Sequence, residues 1–515
     1  MRAPSRAFAA LVGACLLAAV GAENSHPTSA ATRAWTMRVG LESDVQLDPS
    51  LADIYDPAAY LTCLKLLRYT STRRLADSRL VPEAAVAMPH LSRDHKTYVF
   101  TLRRRLRFSD GSPVTAANYA AAIRRILNPA MRSPGAQGIP DIASVRASRL
   151  KLTVTLKRPA GDFLARVGAL SFACPIPTDL PVNPAGVDLR MRAGPYFIRA
   201  HRANRELVLR RNPYYRGGRR NGPQTIDFRI GASEAQLLAA VERGRLDYAM
   251  TGIPDDVAAR LARRYGVDER RFYVVPQLQT TFLGMNNARP LLQGNVALRR
   301  AINLVLDRRA IVRQIGFTRG WTLTDQLLPP GMRGFRRATL YPLRRPALAR
   351  ARRLAGGHLR GGRAVLYTIP ERTALAVVVK SDLARIGLHV DVTTVSRPVY
   401  FDAIQSANPP FDLVITGWIS DWPDPGDFLD TLGQYLPWTR LADSSALAEA
   451  DRLVGPARYR RFGRLDVDMM RNQALVAPIV NAADQALVAP RIGCVRFQQE
   501  TPGQIDVGAA CMRKP

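Results

Sequence analysis

The 515-residue sequence is 47% hydrophobic, long enough for about three domains and too apolar for wholesale disorder. Its 74 Lys and Arg against 42 Asp and Glu leave a formal charge of +32, yet only six of the 74 are lysine. The arginines are spread over every segment, with no lysine-rich tail and no basic stripe interleaved with aromatics, so nucleic acid is not an expected partner. Biased codon usage accounts for such a spread; residence beside an anionic envelope is the functional alternative.

In chain order, the first feature is an export signal over residues 1–22. Arg2 and Arg6 precede the apolar, small-residue run 7–22, which ends in Val20-Gly21-Ala22 before a polar stretch. Its 16 residues fall short of the ~20 that a spanning helix needs. Within it, Val12-Gly13-Ala14-Cys15 resembles a bacterial lipobox, whose cysteine becomes lipidated; an ordinary apolar segment holding one cysteine fits equally. Residues 23–33 read as a flexible linker.

Residues 97–102 alternate as a half-buried strand, Asp110-Gly111-Ser112-Pro113 makes a turn, and Thr115 caps a helix running toward Pro129. Leu152, Val154 and Leu156 mark another strand, and Leu207 and Leu209 a further one closed by Asn212-Pro213. Over 295–315, Leu298, Ala301, Ile302, Val305 and Leu306 recur at helical spacing, and Asp307 is placed to cap a second helix. Core packing is the common cause of such a stripe. Residues 364–368, 373–386 and 388–394 read as strand, helix and strand, with Gly387 ending the helix, and 411–416 as a further strand. This is a parallel α/β unit, and ligands of such sheets bind outside the carboxyl ends of the strands. The residues expected there are Gly417-Trp418-Ile419-Ser420-Asp421-Trp422-Pro423-Asp424-Pro425.

Four cysteines remain after the signal, an even number suited to an oxidising compartment. Cys494 and Cys511 would clasp the C-terminal tail, which leaves Cys63 to pair with Cys174. No CxxC, HExxH, GxSxG, P-loop or GxGxxG occurs, and the six histidines are scattered. Neither catalysis, a metal site nor a cofactor is expected. The 417–425 segment suits binding: glycine permits close approach, Trp418 and Trp422 offer rigid apolar walls, and Asp421 between them could meet a cation. A surface turn with a solvated aspartate is the bland alternative.

Five stretches in order carry a family resemblance. They are Ser92-Arg93-Asp94-His95-Lys96-Thr97-Tyr98, Phe108-Ser109-Asp110-Gly111, Ala193-Gly194-Pro195-Tyr196, Asn212-Pro213-Tyr214-Tyr215, and Met285-Asn286-Asn287 ahead of Leu298-Arg299-Arg300-Ala301-Ile302-Asn303. The chain resembles the family 5 extracellular solute-binding proteins, the dipeptide- and oligopeptide-binding group. The resemblance implies an α/β, two-lobed fold of the periplasmic-binding-protein type II class, with an extra subdomain and a two-strand hinge. Lobe I would hold 34–275 and 485–515, with a subdomain inserted at about 75–185. Lobe II would hold 285–475, and 276–284 with 476–484 would be the hinge. The family role carried to Asp421 is capture of a peptide's α-ammonium, with Gly417, Trp418, Ser420 and Trp422 lining the cleft. A monomer working with ABC permease and ATPase subunits is implied. Relatives that bind nickel chelates, haem, oligosaccharides or opines, and a peptide sensor or chaperone without an importer, are the rivals. Two departures stand out: Asn118 replaces the family's acidic residue in the helix cap, and Ala193 a common threonine.

Overall fold

Residues 35–52, 56–170, 173–219, 222–441, 445–498 and 503–513 are described by the structure, a computed structural model. The proposed signal, the linker and Cys15 lie outside the described residues.

Alternating burial along Thr97–Thr101 and Lys151–Leu156 turns Tyr98, Phe100, Leu152, Val154 and Leu156 to one side. These strands sit inside a four-stranded antiparallel sheet, in the order His90–Leu91, Thr97–Thr101, Lys151–Leu156, Ile142–Ser148. The helix Ala116–Leu127 buries Tyr119, Ile123 and Ile126 in the same core. Its cap is stronger than the Asn118 departure suggests. The Asn118 side-chain oxygen accepts from the Thr115 amide at 2.8 Å and hydroxyl at 3.0 Å, while its Nδ2 donates to the Ile176 carbonyl at 2.9 Å. A carboxylate could do the first but not the last, so the amide caps the helix and also ties it to the 176 loop.

A five-stranded sheet takes the order Tyr248–Met250, Thr36–Leu41, Thr225–Ile230, Glu206–Arg211, Tyr196–Arg202. The first three run parallel, the last two antiparallel. A six-stranded sheet takes the order Thr322–Leu323, Val476–Asn481, Gln279–Met285, Leu413–Ile419, Arg363–Thr368, His389–Thr394. Its parallel part pairs 363–368 with both 389–394 and 413–419, the helix Thr373–Ala384 joining the first two. Gly387 follows that helix at φ +87°, the left-handed region open to glycine without a Cβ clash. The strand 413–419 runs past the expected end at 416, because Gln279, Thr280 and Thr281 offer pairing partners to Ile419, Trp418 and Gly417. Gly417 and Trp418 thus belong to the strand, not to the loop beyond it.

Two chain segments run side by side between the five- and six-stranded sheets. Phe272–Pro276 pairs with Ala483–Leu487, Gln279–Met285 pairs with Val476–Asn481, and the Gln277 amide bonds the Ala482 carbonyl at 3.0 Å. Disulfides join Cys63 to Cys174 and Cys494 to Cys511. The 295–315 stripe divides into the helices Val296–Val305 and Arg308–Val312, where Asp307 accepts from the Ala310 amide at 2.8 Å. Among the described residues no helix is long and apolar enough to cross a membrane.

Candidate functional site

The strand 413–419 is buried through Leu413–Thr416 by its apolar, β-branched side chains and opens at its carboxyl end, where Gly417 and Trp418 are half-buried and Ile419 is exposed. A Cβ at Gly417 would stand 3.0 Å from the Thr280 carbonyl oxygen. A side chain there would press on the neighbouring strand, which glycine avoids. The amide of Ser420 donates to the Leu278 carbonyl at 2.8 Å, and the Ser420 hydroxyl to the Trp422 carbonyl.

Asp427, absent from the sequence reading, organises this end of the sheet. It is fully buried, and its Oδ2 accepts from the Trp418 indole N–H at 3.0 Å and from the Asp421 amide at 3.1 Å. The indole is also held by Tyr435, ring centroids 5.4 Å apart. Among the described residues Oδ1 of Asp427 has no hydrogen-bond partner. Burial, and then repulsion from Asp421, push the Asp427 carboxyl well above the usual range. Trp418, Ser420, Asp421 and Asp427 thus form one cluster, with Asp421 half-buried at its rim.

Trp422 turns elsewhere. It is 4% exposed and packs in the core of the four-stranded sheet, with the Arg166 guanidinium 4.5 Å from its ring centroid. Its side chain packs in that core, whereas Trp418 packs against a different one. The turn after it is clamped by Arg458, whose Nε and Nη2 lie 3.0 and 2.9 Å from Asp424 Oδ1, both side chains being buried. Burial opposes the guanidinium charge, but Asp424, Asp162 and Asp451 outweigh it and raise the Arg458 pKa. A Cβ at Gly426 would fall 2.3 Å from Arg458 Nη2, which explains that glycine.

A second acidic group lies along the same crossing chain segments. A cavity of about 390 Å³ opens at the carboxyl ends of the parallel strands 36–41 and 248–250, lined by Glu42, Met250, Thr251, Asp484, Gln485 and Gln504 among others. The Thr251 hydroxyl donates to Glu42 Oε1. Asp484 has no ion-pair partner among the described residues, and burial raises its carboxyl to about 6. Asp484 pairs with Val275, and Ser420 bonds Leu278. Three extended residues reach at most about 11 Å, so the two acidic walls flank one stretch of chain. The signal for Glu42 and Asp484 was their position at strand ends, which is visible only once those strands are paired.

The chain is similar to known proteins over most of its length. The model for "Bacterial extracellular solute-binding proteins, family 5 Middle" matches residues 79–438. The probable D,D-dipeptide-binding periplasmic protein DdpA of Escherichia coli K12 is 26% identical over 428 residues, covering 81% of this chain and 80% of that protein. The periplasmic oligopeptide-binding protein OppA of the same organism is 23% identical over 457 residues, covering 80% and 81%. The solved structure of clavulanic acid biosynthesis oligopeptide binding protein 2 superposes with TM-score 0.81 at 22% identity, covering 94% of this chain and 96% of that one.

Proposed function

The chain belongs to the bacterial extracellular solute-binding proteins of family 5, and from that membership we propose that it captures peptides between two lobes and delivers them to an ABC importer. The observation that carries the ligand assignment is the Asp421–Asp427 pair. Asp421 stands half-buried at the rim beside a carboxyl pushed toward its neutral form, so Asp421 is the charge that a cation meets, and a peptide's α-ammonium supplies one. Its charge-assisted hydrogen bonds to Asp421 contribute about 1.5–3 kcal/mol. Trp418, locked by Asp427 and Tyr435, gives a rigid apolar surface beside it. Two relatives named for dipeptide and oligopeptide binding support the same ligand class.

In this reading lobe I comprises 34–275 and 485–515, with the subdomain at about 75–185, and lobe II comprises 285–475. The segments 276–284 and 476–484 form the hinge. The five- and four-stranded sheets draw only on the first set, and the six-stranded sheet only on the second and the hinge. Peptide enters between the acidic walls, the lobes close, and the complex docks on the permease of a permease–ATPase assembly. The first 22 residues direct export, with Cys15 as the alternative point of lipid anchoring, and the relatives' periplasmic names support that location.

Mass spectrometry of ligand released by denaturing the exported protein tests this directly. Peptides with a free amino terminus are the expected product; a sugar, haem or a metal chelate would overturn the assignment. A screen by thermal shift complements it, since ligand at about 100 times Kd adds roughly 2.7 kcal/mol.

A further inference from the structure

Away from the cleft lies a cavity of about 550 Å³ between the helices Val296–Val305 and Leu348–Ala355 and the end of the helix Gly455–Asn472. Its charged lining is four arginines and no carboxylate: Arg300, Arg350, Arg353 and Arg471. Among the described residues none of the four forms an ion pair. Arg300 is held in place by donating to the carbonyls of Arg471 and Asn472 at 2.8–3.1 Å, while Arg350 and Arg353 stand three apart on one helix face. The floor is apolar, from Leu304, Leu340 and Tyr341. The wall that carries Leu340 and Tyr341 is fixed from behind, their amides bonding buried Asp325 at 2.7 and 3.0 Å and the tyrosine hydroxyl bonding the Met470 carbonyl at 2.8 Å. Asp325 is thus occupied with backbone donors and is not part of the cavity lining.

We propose that this cavity is a second binding site, for a phosphate-bearing anion. Four arginines line one hollow, Arg350, Arg353 and Arg471 exposed and Arg300 half-buried, a positive field that favours an anion, and guanidinium forks match phosphate oxygens in pairs. A single carboxylate would leave most of that charge unmatched, whereas a phosphate offers more than one negative charge and several acceptor oxygens. The apolar floor beside the arginines suits a phosphate attached to an apolar body. The site shares no residue with the acidic cleft, so it acts independently of peptide capture, and it assigns part of the +32 charge a specific place.

The source of the phosphate, soluble or lipid, is separated by two probes on the mature protein. Pyrophosphate is titrated by calorimetry, and phosphatidylglycerol vesicles are compared with phosphatidylcholine vesicles by flotation. Binding in either arm, weakened tenfold or more in R350Q/R353Q and unchanged in the charge-matched surface variant R93Q/R104Q, is the expected result. The arm that responds identifies the source. Circular dichroism and peptide affinity equal to the parent show that the variants fold. The proposal is overturned if neither probe binds, or if both variants weaken binding equally, since the effect is then that of net charge alone.

Discussion

Two pressures act on the Asp427 carboxyl, burial and the neighbouring charge of Asp421, and both favour its protonated form. Its folded pKa lies above the unfolded value near 4, so the proton it holds stabilises the native state at low pH and that stability is lost as pH rises. Asp427→Asn keeps an oxygen for the Trp418 and Asp421 donors without the charge. The variant is therefore expected to melt progressively higher than the parent as pH is raised from 5 to 8, while the two converge toward pH 4. Parallel melting curves across that range would show that Asp427 carries no such burden. The sequence pointed to Asp421 through the residues around it, but it hid Asp427 among several aspartates, all alike in composition. What distinguishes Asp427 is that an indole and a backbone amide six residues earlier converge on it, and that follows from the turn geometry. Trp422 was likewise readable as an aromatic but not as a core residue, because its partners, Arg166 and the 98–163 core, are more than 250 positions away.

At the scale of elements, the loop 158–166 and the segment 421–458 interlock. The Gly161 amide bonds the Asp451 carbonyl at 3.0 Å, and a Cβ on Gly161 would lie 1.8 Å from the Leu453 oxygen. Arg458 fastens both Asp424 and Asp451 behind this contact. Removing it by Arg458→Ala leaves Asp424 buried and unpaired, a loss of about 3–5 kcal/mol. Urea denaturation measures this, and a loss under about 1 kcal/mol would mean that water or another group replaces the guanidinium. Gly161→Ala forces the loop away from the Leu453 carbonyl, and its expected cost is about 1–3 kcal/mol. Strands and helices with clean periodicity were legible from sequence: 97–101, 151–156, 373–384 and 389–394 fall within a residue or two of expectation. The end of the strand at 419 was not, because it is set by the partner strand 279–285 and not by its own residues.

Over the whole molecule, several buried carboxyls share the behaviour of Asp427. Burial raises Asp466 to about 7, and Asp484 and Asp451 to about 6. The native state then binds more protons than the unfolded chain between about pH 4 and 7, so stability falls as pH rises through that window. A thermal midpoint that climbs from pH 5 to pH 8 would contradict this. The disulfides act on the unfolded chain: Cys63–Cys174 spans 111 positions and Cys494–Cys511 only 17. On loop entropy, loss of the first costs about 4–5 kcal/mol and of the second about 3. The α/β family 5 fold was legible through the ordered family stretches, whereas the acidic walls emerge only when distant strand ends meet. The central claim, that Asp421 holds a peptide's amino terminus, is tested most directly by calorimetry on parent and Asp421→Asn with one peptide and its N-acetylated form. In the parent, acetylation should weaken binding at least tenfold, and in Asp421→Asn the two peptides should bind alike. Equal affinity of the parent for both peptides would contradict the account.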